Sequence, residues 1–187
     1  MLMLAVLATL SLSLLAVGCA KQNAEAQNAL DSATEHLAKD NELYRVEMEQ
    51  AAAWREAYVA TLGGPNFGSG MAETVSFLDG VDQAIDSRLT ELEAARADLD
   101  AVAEMEADAR YKESARLLSA IVDGEIAYCD KHQEYVAGAR RLSEGAYPPD
   151  EAELEALEAL RLELAELSDA IDADYEAAAA FLNAKDQ

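Results

Sequence analysis

Residues 150–181 decide the fold, and they read DEAELEALEALRLELAELSDAIDADYEAAAAF. Apolar side chains recur here in alternating steps of three and four, the spacing with which a helix packs against other helices in a bundle. These side chains are Leu157, Leu160, Leu164, Leu167, Ile171, Ala178 and Phe181. Asp174 interrupts the pattern. The helix is predicted to start after Asp150, which follows two prolines and has capping-box spacing to Glu153.

The rest of the chain beyond residue 24 is also rich in Ala, Glu and Leu and has no alternating β-branched run typical of strands. A first helix is predicted from Ala24 to Leu62, where Gly63-Gly64-Pro65 ends it. Its predicted apolar stripe comprises Leu30, Ala33, Leu37, Tyr44, Met48, Ala51, Tyr58 and Leu62. We interpret residues 63–70, which contain four glycines and no lysine, as a flexible connection and not as a phosphate-binding loop.

Residues 71–145 contain no proline, and Asp79-Gly80 is expected to delay the start of their helix. They form either one helix of roughly 110 Å or two helices with a reversal between Glu106 and Glu113. Charge favours the reversal. Residues 110–144 carry six bases and six acids, whereas residues 73–108 carry 11 acids and two bases, and residues 150–186 carry 12 acids and two bases.

In an up-down-up-down bundle the neutral third helix lies between the two acidic helices and relieves their repulsion. The cations that can do so are Arg110, Lys112, Arg116, Lys131, Arg140 and Arg141. The sequence therefore predicts an all-α, antiparallel up-down four-helix bundle. The alternative is a long helical hairpin or rod with one continuous central helix.

The start of the chain is an uncharged apolar run from Met1 to Val17, followed by Gly18 and Cys19. The sequence Leu15-Ala16-Val17-Gly18-Cys19 resembles the lipobox of bacterial lipoproteins. This resemblance implies cleavage before Cys19, a diacylglyceryl group on its sulfur and acylation of its new amino group, and two or more acyl chains anchor a protein firmly. The alternative is an uncleaved anchor at the short limit, about 17 residues, for a membrane-spanning helix.

The resemblance divides the chain into a signal peptide (1–18), a short lipidated tether (19–23) and a single helical domain (24–187). Ala20 stands where retention in the inner membrane usually requires Asp, so the implied location is the outer membrane, facing the periplasm. The net charge of −23, from 37 acids and 14 bases, excludes nucleic acid as a partner because phosphate binding needs clustered Lys and Arg. The same acidic surface does not adhere to anionic lipid, so we expect membrane contact only through lipid on Cys19.

Glu125, Cys129 and His132 are predicted to share the core-facing side of the third helix. Cys and His three residues apart can supply two metal ligands, with Glu125 as a third, or can form a thiolate and imidazole pair. We favour a structural interpretation, because a buried Cys is an ordinary small apolar residue and a core His commonly bonds a carboxylate such as Glu125. No catalytic, cofactor-binding or metal residue is therefore predicted.

The other histidine, His36, falls at the edge of the first helix's stripe and is interpreted as a boundary residue. The Glu-x-x-His signature of di-iron bundles is absent, since Ala33 and Cys129 precede the two histidines by three. The sequence thus predicts a lipid-anchored, non-enzymatic helical lipoprotein of the bacterial cell envelope, acting as a scaffold, adaptor or accessory subunit for an envelope protein. The alternatives are a metal or small-cofactor binder using Glu125, Cys129 and His132, and a thiol-dependent enzyme.

Overall fold

The structure is a computed structural model and describes residues 20–62, 67–144 and 150–183. Within these ranges the chain forms four helices, α1 (Ala20–Thr61), α2 (Phe67–Glu104), α3 (Ala109–Glu144) and α4 (Glu151–Asn183), and no strand. The prediction of an all-α up-down four-helix bundle is confirmed. The alternative with one continuous central helix is wrong, because Met105 to Asp108 separate α2 from α3. The predicted signal peptide, residues 1–18, and Cys19 lie outside the described residues.

The reversal between α2 and α3 is held by a side chain from α1. Asp108 precedes the first residue of α3, and its carbonyl oxygen accepts a hydrogen bond from the Tyr111 amide (2.9 Å). Asn23 Nδ2 donates to Asp108 Oδ2 (2.9 Å), and Asn23 Oδ1 accepts from the Asp108 amide (3.1 Å). The reversal occupies residues 105–108, so it begins one residue before the predicted window of 106–113 and ends within it. Asn23 satisfies the polar groups of Asp108 there.

Two helices begin earlier than predicted. Helix α1 already includes residues 20–23, which we expected as a tether, and Asn23 is buried. Helix α2 begins at Phe67, so residues 67–70 are helical and Asp79-Gly80 lies inside the helix. A Cβ at Gly80 would lie 3.0 Å from Gln50 Oε1 of α1, so the missing side chain leaves room for Gln50. This glycine permits close packing against α1 and does not mark a helix start.

The chain folds into two compact units. The described part of unit 1 consists of residues 20–40, 90–127 and 167–183, and that of unit 2 consists of residues 41–62, 67–89, 128–144 and 150–166. Each unit therefore contains one segment of every helix.

Contacts within the units establish the antiparallel order of α3 and α4. In unit 2, Lys131 of α3 lies 3.0 Å from Glu163 of α4, and a Cβ added at Gly138 of α3 would meet Leu157 of α4. As the position on α3 advances, the position on α4 recedes. Helices α2 and α3 are also antiparallel in unit 2, where Arg140 Nη2 donates to Asp82 Oδ2 (2.8 Å) and Gln133 Nε2 donates to Asp86 Oδ1 (3.3 Å).

The predicted role of α3 as a bridge between acidic helices is seen at Arg140 and Lys131. Arg140 pairs with Asp79 and Asp82 of α2, each at 2.8 Å. Lys131 lies 3.0 Å from Glu163 of α4. Both cations belong to unit 2.

The core positions follow the seven-residue pattern of steps of three and four more strictly than predicted. On α2 this pattern is buried from Met71 to Val102. On α1, however, the buried pattern runs through Asp40, Glu47 and Trp54, whereas Met48 is half-buried and Leu62 is exposed. The predicted stripe on α1 holds at Tyr58, which is buried, but it was wrong at Leu62 and missed Glu47 because it followed apolar residues only.

The α4 pattern is buried at Leu164, Ile171 and Ala178, as predicted. The predicted interruption at Asp174 is filled by its neighbour Tyr175, which is buried while Asp174 is half-buried. The remaining predicted core residues of α4 are half-buried, and they are Leu157, Leu160, Leu167 and Phe181.

Candidate functional site

Three titratable side chains form a buried charge cluster in unit 2, and they are Glu47, Arg88 and His132. Arg88 Nη1 donates to Glu47 Oε2 (2.7 Å), and both side chains are 0% exposed. The other carboxylate oxygen, Oε1, is hydrogen-bonded to His132 Nδ1. One carboxylate from α1 therefore joins a guanidinium from α2 to an imidazole from α3.

Helix geometry brings the three side chains together because each occupies a core position of its own helix. On α1, buried Asp40 lies three residues after buried Leu37, and Glu47 lies seven residues after Asp40. On α2, Arg88 lies between buried Ile85 and Leu92. Arg88 is among the largest fully buried side chains of the described residues. Charged residues therefore occupy core positions of the seven-residue pattern, where an apolar residue such as leucine is usual.

Tyrosines surround the buried charge cluster. The Arg88 guanidinium carbon lies 4.9 Å from the centre of the Tyr44 ring and 5.7 Å from that of Tyr128. Such contacts stabilise a desolvated cation through the negative face of the ring. The rings of Tyr128 and Tyr135 lie 5.7 and 5.8 Å from the His132 ring.

The pKa values of these tyrosines respond to their surroundings. Burial raises the pKa of Tyr128 far above its usual value, and nearby Tyr44 and Glu47 raise it further. Burial also raises the pKa of Tyr135. Both rings therefore act as neutral walls of the cluster.

Physical considerations assign the buried charge cluster a structural role. A buried ion pair is costly to desolvate, and its attraction offsets that cost only when the remaining polar atoms are also satisfied. Glu47 satisfies one oxygen with Arg88 and the other with His132. With side-chain exposures of 0 to 5%, these groups are closed to a dissolved substrate. The arrangement specifies which positions of α1, α2 and α3 face one another in unit 2.

The sequence-predicted residues Glu125, Cys129 and His132 are all buried, on the side of α3 where they were expected. The carboxylate that bonds His132 is Glu47, not the suggested Glu125, because Glu47 approaches from α1. Within residues 20–62, 67–144 and 150–183, no group of three or more His, Cys, Asp or Glu side chains is placed to hold a metal ion. Cys129 is a fully buried thiol.

Sequence reasoning missed Glu47 and Arg88, although a signal for both exists. Steps of three and four from Leu37 lead through Asp40 and Tyr44 to Glu47, and the same steps from Val81 reach Arg88. Residues of opposite charge at core positions of two helices in one bundle indicate a buried ion pair. A search restricted to apolar periodicity discards these positions.

His36 takes part in a second, more exposed polar cluster in unit 1. Its Nδ1 lies 2.6 Å from Glu91 Oε2 and its Nε2 lies 4.0 Å from Asp98 Oδ2, with 25% of the side chain exposed. Lys39 Nζ lies 3.6 Å from the same Glu91 oxygen. The hydrogen bond with His36 is the main reason that the pKa of Glu91 lies below its usual value. His36 thus joins α1 to α2 at the edge of the core.

Trp54 is a core residue of α1. Its indole Nε1 donates to Ser143 Oγ (3.1 Å), and Ser143 Oγ in turn donates to the Ala139 carbonyl oxygen (3.0 Å). The indole also stacks on Tyr58, with 5.6 Å between ring centres. The two aromatic side chains therefore pack together in the core, as the predicted stripe required for Tyr58.

None of the chain's described helices is both long enough and apolar enough to cross a membrane. No protein-family model, curated protein or solved structure matches the chain.

Proposed function

We propose that this protein is a lipid-anchored, non-enzymatic scaffold or adaptor of the bacterial cell envelope, held at the outer membrane by acyl chains on Cys19 and engaging another envelope protein. The observation that carries the proposal is the lipobox-like sequence Leu15-Ala16-Val17-Gly18-Cys19 directly before a helical body. Because α1 begins at Ala20, lipid on Cys19 would adjoin the first helical turn. Such an anchor holds the bundle close to the bilayer.

The burial of the charge cluster of Glu47, Arg88 and His132 supports a non-enzymatic role. Catalytic groups need contact with a substrate, and the side chains of Glu47, Arg88 and His132 are almost wholly buried. The net charge of −23 supports a protein partner in preference to nucleic acid or anionic lipid. A surface of this kind acts by holding a partner in place.

Mass spectrometry of the mature N-terminus, combined with membrane fractionation, tests the anchoring. We expect an acylated Cys19 as the first residue, and we expect Cys19→Ser to release the protein or stall its processing. Cys129→Ser is the matched control and should leave fractionation unchanged, since Cys129 is buried. An unmodified chain that still begins at Met1 would overturn the anchoring.

Crosslinking and affinity capture of the anchored protein from its own cells tests the scaffold role. A stoichiometric envelope protein is the expected product. Recovery of the chain alone, at endogenous expression and with efficient crosslinking, would contradict the scaffold assignment.

A further inference from the structure

The first half of α4 is the least covered helical segment of unit 2. Between Glu151 and Glu166 only Leu164 is buried. The second half of the same helix buries Ile171, Tyr175 and Ala178. The first half therefore leaves most of its circumference to solvent.

Large apolar side chains lie on this exposed circumference. Leu154 is 43% exposed and Leu162 is 51% exposed. All the large apolar side chains found exposed among the described residues belong to unit 2, namely Val46, Val59, Leu62, Leu154 and Leu162. Exposed apolar side chains concentrated in one region mark interaction sites in soluble proteins.

The two leucines share one face of α4 with acidic residues. At 100° per residue, six exposed residues fall within an arc of about 100°. We call them the α4 outer face, and they are Glu151, Leu154, Glu155, Glu158, Leu162 and Ala165. The face extends over about 21 Å, or four helical turns.

Charge determines which partner the α4 outer face fits. Glu158 is paired with Arg161, whose Nη2 lies 2.6 Å from Oε1 and whose Nε lies 2.7 Å from Oε2. Glu151 and Glu155 make no ion pair within the described part of the chain, and residues 150–166 hold seven acids and one base. The partner surface must therefore supply positive charge together with apolar side chains. A second copy of this chain carries a net charge of −23, which opposes its association with an acidic face, and an anionic lipid surface carries no positive charge.

We propose that the α4 outer face docks a basic amphipathic helix of a protein partner. The partner would place apolar side chains against Leu154 and Leu162 and Lys or Arg side chains beside Glu151 and Glu155. A helix fits because the exposed surface is a straight helical stripe of four turns, which matches helix-on-helix recognition through residues spaced three and four apart. This inference rests on the proposed scaffold function and specifies its binding surface.

Photocrosslinking from the full chain in its own cells tests the inference. A benzoylphenylalanine residue at position 162 should crosslink to a segment with basic residues and helical apolar spacing, identified by mass spectrometry. The matched control is position 177, an exposed alanine in the second half of α4. We expect crosslinks from position 162 and not from position 177.

Charge reversal tests the electrostatic part. Glu151→Lys with Glu155→Lys should abolish the crosslink from position 162. Asp169→Lys with Asp172→Lys, which makes the same charge change at exposed sites of the same helix, should leave it unchanged. Equal loss in both pairs would show that net charge alone attracts the partner, and it would overturn a specific surface.

The apolar part is tested with the identified segment as a synthetic peptide and the detergent-solubilised full chain, by calorimetry. Leu154→Ser with Leu162→Ser should weaken binding about tenfold or more, as the loss of central apolar anchors does. Val46→Ser with Val59→Ser removes two exposed apolar side chains of α1 in the same unit and should change affinity less than about twofold. Unchanged helical circular dichroism in both variants excludes unfolding as the cause.

The remaining outcomes separate this inference from the proposed function. A stoichiometric partner that crosslinks elsewhere on the chain, or through an acidic segment, overturns the α4 outer face and leaves the scaffold role standing. Crosslinks from position 162 to a second copy or to lipid also overturn the inference. No stoichiometric partner from any position overturns the scaffold role itself.

Discussion

Arg88 and Glu47 form an ion pair in which neither side chain reaches solvent, with 2.7 Å between Nη1 and Oε2. The pair connects α2 to α1 within unit 2, and His132 of α3 bonds the second oxygen of the same carboxylate. Replacing such a pair with apolar residues often costs little, whereas removing one partner leaves a buried charge uncompensated. The pair therefore contributes specificity of helix alignment more than net stability.

A double-mutant cycle tests this role of the buried ion pair. Arg88→Leu and Glu47→Leu should each lower the free energy of unfolding by about 3 to 5 kcal/mol, because each leaves a buried charge without its partner. The double variant should be clearly more stable than the sum of the single losses predicts. Chemical denaturation of all four proteins provides the free energies. Arg161→Leu, at an exposed pair, is the control that should change little, and additive losses would contradict the coupling.

Two helical glycines of α3 should respond differently to alanine. A Cβ at Gly124 would lie 2.8 Å from Ile171 Cγ1, close to the backbone of α4, and one at Gly138 would lie 2.9 Å from Leu157 Cδ1, the mobile end of its side chain. Alanine gains up to about 1 kcal/mol of helix propensity at either site, but overpacking costs about 1 to 3 kcal/mol where the neighbour cannot move. Thermal unfolding should show a higher melting temperature for Gly138→Ala than for Gly124→Ala. The reverse order would contradict the packing against Ile171.

Stability should fall on acidification through Glu91. The hydrogen bond from His36, with a smaller contribution from Lys39, holds the pKa of Glu91 below its usual value. The folded state therefore keeps Glu91 ionised at a pH where the unfolded chain binds a proton, so the stabilisation is present above about pH 4.3 and is lost as the pH falls through the lower folded value. Glu91→Gln should be less stable than the wild type at pH 7, and the difference should shrink as the pH falls below about 4.3 and through the lower folded pKa. A constant difference between pH 3 and pH 7 in urea denaturation would contradict this.

Stability should also fall at alkaline pH through Tyr128. Burial raises the pKa of this phenol, so the unfolded chain loses the proton near pH 10 while the folded protein keeps it. The folded state binds more protons above that pH, and stability decreases as the pH rises. Tyr128→Phe should flatten the decline without removing it, because burial also raises the pKa of Tyr135 and Tyr111. Absorbance at 295 nm should show a tyrosine fraction that ionises only on unfolding, and complete ionisation of the folded protein would contradict the burial.

Cys129 distinguishes a structural core from a metal or thiol site. If its role is packing, Cys129→Ala should cost on the order of 1 to 2 kcal/mol, and the thiol of the folded protein should react slowly with thiol reagents. Elemental analysis of the purified protein is the decisive measurement. About one metal per chain, lost with either Cys129→Ala or His132→Ala, would contradict the scaffold assignment. It would support the alternative function, a protein that binds a metal through these side chains.

The site could be predicted only in part, and particular residues show why. Burial of Glu125, Cys129 and His132 follows from the helical position of each residue relative to Leu118 and Val122, which is a property of one helix. The carboxylate that bonds His132 depends on which residue of α1 lies opposite it, and that partner is 85 residues away along the chain. Periodicity within one helix contains no information on the alignment of another.

The sequence by itself determined the all-α class, the start of α4 and the acidic balance, because helix formation, capping and charge are local properties. Asp150 illustrates this, since its carboxylate oxygen accepts the Ala152 amide (2.9 Å) at the predicted start of α4. Only the tertiary structure decided that Asn23 holds the reversal at Asp108, that Glu47 and Arg88 share the core, and that Leu154 and Leu162 remain exposed. Each of these depends on how much of one helix another helix covers, and burial of a side chain is fixed by the packing of all four helices together.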